Sequence, residues 1–206
     1  AAIPDAQESR GLGDVYKRQG ISGQAITRGT SFLKDKMNAD IFKKTINIID
    51  DPHIKRGARS LAFDGEGVAT KKLNLIENGK LKSWLLNSQY ARQLNLKSTG
   101  HYSGVSNLYM SPGKKTNLEL IKSIDQGFYI TEMLGMSFSQ VTGDYSRGAS
   151  GYWIEKGEKA YPVSEVTIAG NILDMYNMLT PASDLKMITG IDAPTLMIDK
   201  MIVAGL

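Results

Sequence analysis

The chain has 206 residues, 41% hydrophobic and 22% charged, which suits one large or two small globular domains. Its net charge of +4 is carried by dispersed pairs such as Lys43–Lys44 and Lys71–Lys72, which argues against a phosphate-tracking nucleic-acid surface. Cysteine is absent, so disulfides and thiolate zinc ligands are excluded; no apolar run reaches membrane-span length and no export signal opens the chain, so the expected location is cytoplasmic, with no membrane partner.

Residues 1–19 show no clean period. Within them "DVYKRQ" (14–19) resembles the translated end of an adaptor used to build sequencing libraries. Residues 1–19 are therefore read as a disordered processing scar, and 20–206 as the folded domain, truncated on its N-terminal side. The alternative is a genuine irregular N-terminal arm.

The isoleucines of 41–53 predict a strand closed by Asp50, Asp51 and Pro52. Residues 60–70 read as a short apolar piece and an acidic, Gly-flanked turn, in which Asp64 or Glu66 pairs with Arg59 or faces solvent. Asn78-Gly79 supplies the positive φ angles of a two-residue hairpin turn within 71–88. Residues 88–96 read as a short helix and 98–115 mostly as loop, with a strand at 107–110. Thr116 and Glu119 form a capping-box pattern, opening a helix with Leu118, Ile121 and Ile124 inward and Gly127 at its end.

A strand is expected over 128–135 and a second hairpin over 152–163, around Lys156-Gly157. Residues 164–171 add a further strand. Asn171 caps a helix whose Ile172, Met175, Tyr176 and Leu179 recur at helical spacing, and Pro181 stops it. Residues 194–205 close the chain as strand. The expected fold is α+β: mainly antiparallel sheet, with barrel-like hairpins and about three short helices.

Chemistry would concentrate in "VTGDYSRGASGYWIEKGE" (141–158). Ser146 or Ser150 as a nucleophile requires a base and an oxyanion-binding pair, and no G-x-S-x-G elbow is present. The segment lacks the G-K-[ST] ending of a phosphate loop. A metal site needs convergent His, Asp or Glu, and the only histidines read as a turn residue, His53, and a surface loop residue, His101, with a ligand-facing role open for His101. The favoured reading is a rigid loop hinged at Gly143, Gly148 and Gly151, with Asp144 accepting loop amides and Arg147 forking onto carboxylate or carbonyl oxygens. The candidate recognition residues are Asp144, Tyr145, Arg147, Ser150 and His101. No catalytic or metal-ligating residue is assigned.

"TGDYSRGASGYWIEKGE" (142–158) and "YPVSEVTIAGN" (161–171) resemble the TldD/PmbA family, the modulators of gyrase or microcin-maturation peptidases. "DDPHIKRG", "FDGEGVAT", "LLNSQYARQLNLKSTGH" and "MIVAG" extend the resemblance, in order, over 20–206. The resemblance is to the family's C-terminal domain. It implies a heterodimeric peptidase acting on unfolded or leader peptides. In it the TldD-type subunit holds zinc through an H-E-x-x-x-H helix, which would lie just upstream of residue 20, and a later cysteine. The PmbA type lacks a working zinc site. Ser146–Gly151 looks like the PmbA type, and 183–196 holds no cysteine. The resemblance therefore implies a non-catalytic subunit with no cofactor of its own, partnered by a zinc-bearing TldD-type chain and by peptide substrates. The alternative is a nucleic-acid or gyrase-associated binding module. A self-sufficient serine hydrolase is the weakest reading.

Overall fold

A computed structural model describes residues 2–4, 20–139 and 141–205. In chain order its elements are β1 (Ala2–Pro4), α1 (Gly23–Arg28), β2 (Ile48–Asp50), β3 (Leu73–Glu77), β4 (Lys80–Leu81), α2 (Ser88–Gln93), β5 (Leu108–Met110) and α3 (Asn117–Lys122). There follow β6 (Gln126–Phe138), β7 (Asp144–Glu155), β8 (Glu158–Asn171), α4 (Ile172–Met178), β9 (Leu179–Pro181), β10 (Ile191–Asp192), β11 (Leu196–Ile198) and β12 (Ile202–Ala204). The fold is α+β and mostly antiparallel. Among the described residues it has four helices rather than about three, α1 being the addition. Both sheets are open there rather than barrel-like, because their outermost strands do not pair with each other.

The chain divides into two compact units. The first holds the five-stranded sheet, in the order β10-β5-β2-β3-β4, in which only β10 and β5 run parallel. Asn78 (φ 50°) and Gly79 (φ 78°) make the expected β3–β4 turn. A Cβ at Gly79 would run into the Phe42 carbonyl oxygen, so the position needs glycine for space as well as for φ. The strand expected over 41–53 shrinks to β2. Ile41, Phe42 and Ile46 are buried without joining it. The amides of Ile41 and Phe42 both donate to the Gly79 carbonyl, and that of Ile46 to Lys43, so this stretch wraps around the hairpin turn.

The second unit holds the seven-stranded sheet, in the order β12-β8-β7-β6-β1-β11-β9, with only β6 and β1 parallel. Its centre is the long meander β6–β7–β8. Lys156 (φ 47°) and Gly157 (φ 81°) turn β7 into β8 as expected. The pieces expected at 158–163 and 164–171 form one strand, interrupted by a bulge. Val163 opposes Gly151 and Val166 opposes Ala149, so one residue is extra, and Glu165 takes φ 57° to absorb it. Ala2–Pro4 form β1, with Ile3 fully buried opposite Tyr129, although the sequence reading places them outside the fold. Residues 5–19, the rest of the expected scar, lie outside the described residues.

Helices α3 and α4 cover opposite faces of this sheet. Leu120, Ile121 and Ile124 cluster with Ile3, Tyr129 and Ile154, whereas Met175 of α4 meets Ile130, Tyr145 and Ile168. Tyr129 and Ile130 are neighbours in β6, and alternate strand residues face opposite ways. The capping box of α3 is complete: Thr116 Oγ1 accepts from the Glu119 amide, and Glu119 accepts from the Thr116 amide. Leu118, expected inward, is 61% exposed, because it lies about 200° around the helix from Leu120. Ser123, not Gly127, ends the helix, and Gly127 lies within β6 opposite Ile154. Asn171 caps α4 through the Leu173 amide, as expected. The helix gives way at Leu179, and Pro181 sits in β9.

Candidate functional site

The segment expected to be a rigid loop is mostly strand. Only its start turns, at Gly143 (φ 81°), where the Gly143 amide donates to Ser139 and its carbonyl accepts from Ile172. Asp144 belongs to this turn: its Oδ2 accepts from Thr142 Oγ1 at 2.6 Å. From Asp144 to Glu155 the chain is β7, so Gly148 and Gly151 are strand residues and not hinges. Gly151 is there because β6 comes too close for a side chain; a Cβ would run into the Tyr129 carbonyl oxygen.

Strand alternation divides the candidate residues. Tyr145 and Arg147 share the face that Met175 covers, while Asp144 and Ser150 share the other. Tyr145 is buried and its hydroxyl donates to Met133 Sδ at 3.2 Å. Arg147 Nη2 donates to the Met133 carbonyl at 3.3 Å, a single bond rather than a fork. Neither Ser146 nor Ser150 hydrogen-bonds a histidine or carboxylate side chain among the described residues. The geometry needed for a serine nucleophile is therefore not assembled on β7.

His101 lies in the five-stranded unit and is not a surface residue. It is 8% exposed and donates from Nε2 to Asp50 Oδ2 at 2.8 Å, while its Nδ1 lies 2.9 Å from Thr99 Oγ1. Asp50, fully buried at the end of β2, also accepts from the Ser106 amide, and its Oδ1 has no partner among the described residues. The following loop is fixed by a second carboxylate. Asp64 accepts from the amides of Glu66, Val68 and Tyr102 at 2.9–3.1 Å and does not pair with Arg59. Burial raises its pKa, but the three amides and the nearby His101 outweigh that and hold it below the ordinary 3.8.

Beside His101 opens a cavity of about 240 Å³, lined by Ser22, Gln24, Leu85, Asn87, Tyr90, Tyr102 and Val105 among others. Two helix starts shape it. Ser22 Oγ caps α1 through the Ala25 amide, and Asn87 Oδ1 caps α2 through the Tyr90 amide. The helices pack closely because Gly23 has no side chain; a Cβ there would lie 2.8 Å from Tyr90 Cβ. The sequence reading found His101 but missed Asp50 as its partner and Ser22 and Asn87 as wall residues. The Asn87 cap was legible as an Asn ahead of a helix; Asp50 lies 51 positions from His101, and no local signal links them.

Residues 15–205 match the model of the PmbA/TldA metallopeptidase C-terminal domain. The chain belongs to the PmbA/TldA metallopeptidase family. Metalloprotease PmbA of Escherichia coli O157:H7 is 40% identical over 186 residues, which are 90% of this chain and 41% of that protein. A metalloprotease TldD homolog of Buchnera aphidicola subsp. Schizaphis graminum is 30% identical over 212 residues, covering 90% of this chain and 44% of its own length. The chain thus spans about two fifths of the length of these relatives. A crystal structure of a candidate modulator of DNA gyrase from Bacteroides thetaiotaomicron superposes with a TM-score of 0.93 at 28% identity. It covers 100% of this chain and 46% of the other.

The metallopeptidase name raises the question of zinc. Among the described residues no three His, Cys, Asp or Glu side chains are grouped to hold a metal ion. Both ring nitrogens of His101 are engaged, His53 Nε2 lies 3.4 Å from Thr70 Oγ1, and the sequence has no cysteine. By themselves, the described residues of this PmbA/TldA domain do not fit a zinc site.

Proposed function

We propose that this chain is part of a PmbA-type, non-catalytic subunit that pairs with a TldD-type, zinc-bearing subunit in a cytoplasmic peptidase for unfolded or leader peptides. The observation that carries this reading is the likeness over 142–171, with Ser146–Gly151 of the PmbA type, together with a segment 183–196 that has no cysteine where a TldD-type chain supplies a ligand. The higher identity to a PmbA than to a TldD homolog supports the same assignment. The subunit's part is to complete the channel and hold extended peptide through main-chain pairing, a task suited to open sheets. Peptide cleavage by the full-length protein, alone and copurified with its TldD-type partner, tests the proposal, together with zinc content per chain. Cleavage is expected only with the partner. Stoichiometric zinc and cleavage by this protein alone would overturn it.

A gyrase-associated or nucleic-acid-binding module is the second reading. It is favoured by the description of the Bacteroides relative as a modulator of DNA gyrase.

A further inference from the structure

We propose that the cavity beside His101 is a side-chain subsite for extended peptide. It takes one bulky apolar side chain, while donors on its wall hold the adjoining backbone carbonyls. This rests on the peptide-binding reading above and gives it a place and a chemistry.

Size decides first. At about 240 Å³ the cavity is smaller than the roughly 300–1,000 Å³ of sites for drug-sized ligands, so it suits one side chain better than a cofactor. Charge decides next. No Lys, Arg, Asp or Glu lines it, so an ionic group entering it would lose water without compensation. Leu85 and Val105, with the rings of Tyr90 and Tyr102, supply apolar wall.

The polar side chains are left with donors. Ser22 Oγ accepts from Ala25, Asn87 Oδ1 accepts from Tyr90, and the Gln24 oxygen, turned to Arg28, accepts from both of its Nη atoms at 3.1 Å. Both nitrogens of His101 are engaged. What remains for a ligand is the Ser22 hydroxyl hydrogen, the amide groups of Asn87 and Gln24 and the hydroxyls of Tyr90 and Tyr102. A set of neutral donors around an apolar hole matches a neutral acceptor beside a hydrophobic group, and a peptide offers that pairing at every large apolar residue. The wall is also fixed in advance: His101 is tied to Asp50, and the Tyr102 amide to Asp64. Little ordering remains to be done on binding.

The test uses the full-length protein in complex with its TldD-type partner. The probe is a pentapeptide Gly-Gly-Xaa-Gly-Gly with photoreactive benzoylphenylalanine at Xaa. Cross-links are expected within 22–24, 85–90 and 101–105. Asn87→Asp keeps the helix cap but replaces the donor with an acceptor, and should weaken binding about tenfold with the melting temperature unchanged. Gln24→Trp, at an exposed position of the wall, should abolish any preference for Phe over Gly at Xaa. Cross-links confined to the partner, or to other parts of this chain, would overturn the subsite and leave the peptide-binding reading standing. No peptide binding at all by the complex would overturn both.

Discussion

Asp50 and Asp64 show two ways a carboxylate is kept in a protein interior. Asp50 is held by one imidazole and one amide, and replacing it with alanine strands a buried histidine. A buried donor left without its acceptor costs about 1–3 kcal/mol. Asp50→Ala is expected to lower the urea midpoint accordingly, and an unchanged midpoint would refute the pairing. Asp64 is held by three amides, and its folded pKa lies below the ordinary 3.8. A depressed carboxylate contributes stability that is full above the unfolded pKa and lost as pH falls through the folded one. Acid denaturation below about pH 4 should therefore be less steep in Asp64→Asn than in the parent, as read by circular dichroism against pH. The sequence pointed to His101 as a residue of interest but placed it at the surface. Burial of a histidine depends on which distant groups meet it, and Asp50 is not near it in the chain.

At the scale of elements, signals confined to a few residues were read correctly. Asn78-Gly79, Lys156-Gly157, the Thr116–Glu119 box and the Asn171 cap each act through their own backbone, and each formed as expected. Thr116→Ala should cost about 1 kcal/mol by removing one cap bond from α3. What was not legible depended on partners across the sheet. The glycines of 143–151 read as hinges because glycine is common in turns, yet Gly151 is a strand residue pressed against Tyr129 of β6. Gly151→Ala must displace backbone, so a loss of more than about 3 kcal/mol or outright insolubility is expected. Wild-type stability in that variant would show that the β6–β7 approach is looser than described. The same dependence hid the site: Ser22 and Asn87 are ordinary caps until the packing of α1 on α2 sets them around one cavity.

For the molecule as a whole, charge discriminates between the two functional readings. A phosphate-tracking surface would make binding to duplex DNA steeply salt-dependent. With +4 spread over dispersed pairs, filter binding is expected to retain no DNA near ~0.15 M salt, and robust retention there would favour the gyrase-associated reading. The order of strands has a different kind of consequence. The strand β10, near the end of the chain, is an edge of the first sheet, alongside β5. That sheet therefore stays one strand short on the ribosome until some eighty further residues have been translated. During that interval the flank of β5 is bare, and a chaperone that shields exposed strands would have most to do there.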